Sequence, residues 1–133
     1  MNNFSEIVMY TLKKYNNVLK DDELNKFSEY ANLLVEWNKK INLTAITDPE
    51  NIAIKHFLDS ISVFEVLKVP KRARVIDVGS GAGFPGVPMK IVRQDIKITL
   101  LDSLNKRLLF LDELLYSLNL NGTIIHSRAE ELS

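Results

Sequence analysis

The stretch Asp77-Val78-Gly79-Ser80-Gly81-Ala82-Gly83-Phe84-Pro85-Gly86 decides how the rest of this chain is read. Just before and into it, Ala73 to Val78 (ARVIDV) is a short β-branched run that predicts a buried strand. After it, the sequence to about Arg93 predicts a helix. Glycine between two such elements adopts positive φ freely and leaves no Cβ between the backbone and a ligand. Backbone N–H groups at the start of the helix suit an anionic group. Gly81-x-Gly83-x-x-Gly86 also fits the dinucleotide fingerprint, so the motif alone does not choose a cofactor. A tight strand-to-helix turn holding no ligand is the plainer alternative.

Toward the C-terminus, Ile96 to Leu101 (IKITLL) predicts a second strand. Ser103 to Leu118 predicts a helix with Leu104, Leu108, Leu111 and Leu115 on one face. Asn119-Leu120-Asn121-Gly122 is a turn, and Thr123 to His126 a third strand. The order β-α-β-α-β makes residues 71–133 half of a doubly wound parallel sheet, of the α/β class. Asp102 ends the second strand, where an acid can accept both hydroxyls of a ribose; its alternative duty is to cap the following helix. Asp77 precedes the glycines. Its charge opposes a pyrophosphate and attracts a cationic sulfonium carrying an amino acid head. Arg128-Ala129-Glu130 follows the third strand, where an adenine-contacting pair falls, although Glu130 by itself reads better as a solvated surface acid.

Toward the N-terminus, residues 1–70 predict a helical extension. Phe4, Ile7, Val8, Leu12, Tyr15 and Leu19 recur at helical spacing. Asp21 or Asp22 can cap a second helix carrying Leu24, Phe27, Ala31, Leu34 and Ile41, with Trp37 nearby. Asn42-Leu43-Thr44 interrupts the pattern. Asp48-Pro49-Glu50 starts a third helix whose buried face is Ile52, Phe57, Leu58, Ile61 and Phe64. Val69-Pro70-Lys71 is the boundary between the two regions.

Composition bounds the function. The chain has 133 residues, 17 basic and 17 acidic groups, and a formal net charge of zero, so bulk charge alone cannot bind it to nucleic acid. Residues 1–70 carry eight lysines and ten acids; residues 71–133 carry nine basic groups and seven acids, and every arginine lies there. Cysteine is absent, which excludes disulfides and thiolate metal sites and suits a reducing compartment. His56 and His126 stand apart with no ligand spacing around them, so no metal is expected. No apolar run is long enough to cross a bilayer and the first residues do not resemble a secretory signal, so a cytoplasmic protein without membrane attachment is expected.

Five segments in fixed order resemble one family. They are Asn42-Leu43-Thr44-Ala45-Ile46, His56-Phe57-Leu58-Asp59-Ser60, the glycine stretch, Leu101-Asp102-Ser103 with Lys106-Arg107, and His126-Ser127-Arg128-Ala129-Glu130. Together they are similar to the ribosomal small-subunit methyltransferase G family, also called glucose-inhibited division protein B. The resemblance implies a class I, Rossmann-like methyltransferase sheet behind a helical extension, and S-adenosyl-L-methionine as cofactor. It implies methyl transfer to N7 of a guanine in 16S ribosomal RNA of the small subunit. Guanine N7 carries its lone pair in the ring plane and needs no deprotonation, so no catalytic base is expected. Carried over by position, Gly79 and Phe84 match the family's cofactor contacts in the loop, and Ala129-Glu130 its contact pair after the third strand. Asp77, Gly81 and Asp102 match general class I positions for the methionine head, the loop and the ribose; Ser80 belongs to the same loop. The family sheet has seven strands and only three are predicted here, so the chain resembles an N-terminal portion, expected to be inactive alone. Its first strand would then be a bare edge, inviting self-association.

Other residues are left open. His56, beside Lys55, either faces the cofactor crevice or RNA or serves the core, and Asp59 is similar. Lys39-Lys40, Lys71-Arg72 with Arg74, and Lys106-Arg107 each reach phosphate or are solvated helix ends. Two other functions remain on the residues alone: half of a nicotinamide-dinucleotide oxidoreductase, and a non-catalytic helical interaction module.

Overall fold

The N-terminal helices follow from apolar spacing and from the residues at their ends. A computed structural model describes residues 3–127. Helix α1 (Asn3–Tyr15) buries Val8, Thr11 and Leu12. Helix α2 (Asp21–Asn38) buries Leu24, Phe27, Tyr30, Ala31 and Leu34, a continuous stripe at three- and four-residue spacing. The residue before α2 is Lys20, not an aspartate cap as expected. Its backbone N–H donates to Glu23 Oε1 at 2.7 Å, and Asp21, Asp22 and Glu23 place negative charge at the positive helix end. Helix α2 ends before Ile41, which is half-buried outside it.

Asp48 caps the next helix as expected, accepting from Asn51 N at 3.0 Å with Pro49 as the first helical residue. The chain beyond this cap is not one regular helix. α3 (Pro49–Asn51) passes into a π-helical segment, Ile52–Leu58, then α4 (Asp59–Ile61) and α5 (Val63–Val66). Ile52, Ala53 and Phe57 are buried, whereas Leu58 and Phe64 are only half-covered.

Beyond Val69–Lys71 the chain builds three parallel strands, β1 (Arg74–Val78), β2 (Lys97–Asp102) and β3 (Thr123–His126), in the spatial order β1-β2-β3. Ile76 pairs with Thr99 and Val78 with Leu101; Leu101 in turn pairs with Ile125. Helices α6 (Gly86–Val92) and α7 (Asn105–Ser117) connect them and pack against the sheet. Helix α2 packs on both, so one apolar cluster takes in Phe27, Leu34 and Phe57 together with Val87, Leu100 and Leu111.

Strand β1 is not buried as expected. Among the described residues it pairs only with β2, and Ile76 (59%) and Val78 (51%) are exposed on the face opposite Asp77. The expected apolar face of α7 also shifts. Leu104 precedes the helix and is half exposed, while Leu108, Phe110, Leu111, Leu114 and Leu115 are buried. Among the described residues no helix is long and apolar enough to cross a membrane.

Candidate cofactor site

The glycine loop leaves the end of β1 with positive φ at three residues: +72° at Gly79, +55° at Gly81 and +97° at Gly83. The surroundings divide the loop's glycines into two pairs. A Cβ at Gly79 would meet nothing within 4 Å, and at Gly81 only Gly79 O at 3.8 Å. A Cβ at Gly83 would lie 2.5 Å from the Tyr30 hydroxyl, and at Gly86 2.8 Å from Asp77 Oδ2. Gly79 and Gly81 therefore leave an open backbone surface a ligand can approach, while Gly83 and Gly86 permit close packing.

Five of the loop's amides, expected to be open to an anion, are bonded within the fold. Gly79 and Ser80 donate to Leu101 O at 2.7 and 3.0 Å, and Gly83 donates to Ser80 O at 2.7 Å. Gly81 donates to Asp102 Oδ2 at 2.8 Å, and Gly86 to Asp77 Oδ2 at 3.0 Å. These donors fold the loop back onto the ends of β1 and β2. A pyrophosphate would find them occupied and two carboxylates beside them, which disfavours a dinucleotide on electrostatic grounds.

Both carboxylates are buried. Asp102, 1% exposed, takes Gly81 N–H on one oxygen and Leu104 N–H on the other at 2.9 Å; Arg107 Nη1 lies 3.8 Å away. It thus braces the turn ahead of α7 without capping that helix, whose N-cap is Leu104 and carries no side-chain cap bond. A carboxylate has about four acceptor positions, so capacity remains for ribose hydroxyls. Burial pushes the Asp77 carboxyl above its usual range against the Gly86 amide bond, and the nearby negative charge of Asp102 raises it further. A cation beside this pair would relieve that cost. The Ser80 hydroxyl donates to Asp77 O at 2.9 Å and closes the turn.

Phe84 does not stand alone beside the loop. Its ring stacks on His56 at 4.3 Å and on Tyr30 at 5.5 Å, so the side chain is fastened to the helical extension. The Tyr30 hydroxyl donates to Ala82 O at 2.7 Å. Tyr30 was missed in the sequence, although its place one residue before Ala31 on the α2 stripe signalled burial. Nothing local signalled that its hydroxyl would meet the loop. His56 also joins its own segment to Asn42-Leu43-Thr44-Ala45-Ile46 through Thr44, whose hydroxyl lies 2.7 Å from His56 Nε2. The Thr44 hydroxyl also accepts from Ile46 N at 3.1 Å. His126 Nε2 lies 2.9 Å from Ser103 O.

The basic pairs fall at different places. Lys106 and Arg107 start α7 beside Asp102, at the loop's end of the sheet. Lys71, Arg72 and Arg74 lie at the opposite end of β1, about 17 Å away by strand rise. Ala129 and Glu130 lie outside the described residues.

Residues 23–133 match the family described as rRNA small subunit methyltransferase G. A relative from Desulforamulus reducens, named ribosomal RNA small subunit methyltransferase G, is 48% identical over 98% of this chain and 55% of its own. One of the same name from Clostridium perfringens is 55% identical over 84% of this chain and 47% of its own. The chain spans about half the length of the curated relatives it matches. A crystal structure of a putative protein-L-isoaspartate O-methyltransferase from Plasmodium falciparum, in complex with S-adenosyl-L-homocysteine, superposes with a TM-score of 0.57 at 20% identity. It covers 100% of this chain and 66% of that one, and shows the shared fold. A Rossmann-like sheet behind N-terminal helices, the ordered motifs and the match over residues 23–133 lead to one conclusion: the chain belongs to the rRNA small subunit methyltransferase G family.

Proposed function

We propose that this chain is the N-terminal, cofactor-holding portion of an S-adenosyl-L-methionine-dependent methyltransferase acting on N7 of a guanine in 16S ribosomal RNA. The supporting observation is the 2.8 Å bond from Gly81 N to Asp102, set beside two glycines whose Cβ space is open. Asp102 and the backbone of Gly79, Ser80 and Gly81 would hold the ribose side of the cofactor, and Asp77 its amino group. By family position Phe84 would pack against the cofactor, and Ala129 and Glu130 would contact the adenine. When bound, the cofactor supplies an electrophilic methyl group on a sulfonium.

The protein's own work is placement. A nucleophile that needs no deprotonation requires alignment with the methyl group, and holding two reactants in line removes much of the entropic barrier. Asp77 and Asp102 bind polar ends of the cofactor and keep their charge off the reacting centre. The partner is the small ribosomal subunit or its precursor, met in the cytoplasm, with residues 1–70 as a helical extension and 71–133 as the start of the cofactor domain. Alone, this chain is proposed to lack turnover and to self-associate through the β1 edge.

The test is methylation of ribosomal RNA by the longer protein of which this chain is proposed to be a portion, in cells lacking their own enzyme of this kind. Restored N7-methylguanine in 16S RNA, lost again in a Gly81→Val variant, supports the proposal. Methylation of another atom or another RNA, or none with the protein folded, contradicts it.

A further inference from the structure

Three rings form a stack that runs from the core to the surface. Phe84 is tilted only 9° from Tyr30 and 11° from His56. Tyr30 is fully buried, Phe84 half-buried, and the stack ends on His56. There it meets a cleft of about 430 Å³ lined by Lys55, His56, Asp59, Ser62, Phe84 and Pro85. Phe84 and Pro85 are also the last loop residues before α6. The cleft therefore abuts the glycine loop while drawing its polar groups from the helical extension.

We infer that this cleft receives one unstacked purine base of a single-stranded RNA segment, and that Asp59 selects guanine. The inference rests on the proposed methyltransferase function and names the substrate subsite beside the cofactor loop. A planar stack with a polar rim is how proteins hold single-stranded bases. The His56 ring is fixed by the Thr44 hydroxyl at 2.7 Å, and its backbone carbonyl accepts from Ser60 Oγ at 2.5 Å. Burial keeps the imidazole pKa below its ordinary value, so it offers a neutral aromatic surface at neutral pH, although the Asp59 charge pulls the other way.

Asp59 is exposed on the cleft rim, close enough for its charge to act on His56. A carboxylate accepts from guanine N1–H and the N2 amino group together. Adenine presents an acceptor at N1, which faces the same carboxylate unfavourably. Holding guanine by that edge leaves N7, on the opposite side of the purine, free. Lys55 on the rim is placed for the adjoining phosphate.

The test is an NMR titration of the 133-residue chain with guanosine 5′-monophosphate and, separately, adenosine 5′-monophosphate. The guanine nucleotide is expected to shift His56 and Phe84 ring resonances with a dissociation constant on the order of 1–10 mM. The adenine nucleotide is expected to bind about fivefold or more weakly, and Asp59→Asn to bring the two within about twofold. Asp59 is exposed, so this variant should fold; unchanged amide spectra away from the cleft verify it. Four results would overturn the inference: no shift at His56 with either nucleotide, equal binding of both by the parent chain, an unchanged preference in Asp59→Asn, or shifts confined to Gly79, Gly81 and Asp102. A parallel titration with S-adenosyl-L-homocysteine reads those three residues independently. Its failure counts against the methyl-donor site and leaves the cleft result standing.

Discussion

The hydroxyl of Tyr30, in the middle of α2, donates to the carbonyl of Ala82 at 2.7 Å, tying the N-terminal helices to the glycine loop across 52 residues of sequence. The phenol is fully buried, and burial together with the Asp77 charge raises its pKa well above the ordinary value, so it remains a donor. Removing only the hydroxyl, in Tyr30→Phe, leaves the ring stack and orphans a buried carbonyl. The expected cost is about 1–2 kcal/mol in urea unfolding. Amide exchange should rise through Gly79 to Gly83 more than in α1. Loss of protection spread evenly over the chain would mean that the bond does not hold the loop in particular.

Gly79 and Gly83 should respond differently to alanine although both have positive φ. At Gly79 the cost is backbone strain alone, about 1–2 kcal/mol, because the space around it is open. At Gly83 the new methyl also strikes the Tyr30 hydroxyl, so the total should reach about 3 kcal/mol or more. Cofactor affinity should fall in both variants, in Gly79→Ala with most of the stability kept. Equal unfolding midpoints would contradict the division into approach and packing glycines.

Buried Asp77 and half-buried His56 give opposite pH signatures. Asp77 has a raised folded pKa, so its contribution is full below the ordinary 3.8 and is lost as pH rises through the folded value. Asp77→Asn should therefore gain on the parent as pH rises from about 4. His56 has a lowered folded pKa, so its contribution is present above 6.5 and is lost as pH falls through the folded value. The advantage of the parent over His56→Gln should shrink on acidification below 6.5. Urea midpoints across this pH range check both signs. Parallel pH profiles for parent and variants would show that neither group is perturbed by burial.

Among the described residues strand β1 pairs on one side only, and Ile76 and Val78 are exposed on its open face. Unpaired strand edges recruit other chains. Light scattering on the 133-residue chain should show mass growing with concentration, and Ile76→Lys should reduce that growth. A stable monomer at high concentration would contradict it.

The strands and the loop were readable because their signals are local. The runs ARVIDV and TIIH and the alternating glycines at positions 79, 81 and 83 carry their own geometry. Asp102 was readable as a candidate site residue from its place at a strand end, but its bonds to Gly81 and Leu104 were not, since they depend on how β1 and β2 meet. The same holds for the loop amides: an N–H that looks free in the sequence finds Leu101 O only once the strands pair. Ile76 and Val78 looked buried because a β-branched run does not reveal which of its faces is covered. The π-helical turn at Ile52–Leu58 also escaped, because apolar spacing there fits an ordinary helix nearly as well.

The most direct test of the central claim is calorimetry of the longer protein of which this chain is proposed to be a portion, with S-adenosyl-L-homocysteine and, separately, with NAD. Saturable binding of the nucleosyl thioether, weakened at least about tenfold by Asp102→Asn, with no heat from NAD, is the expected result. Tighter binding of NAD, or no uptake of the thioether at saturating concentration by the folded protein, would contradict it.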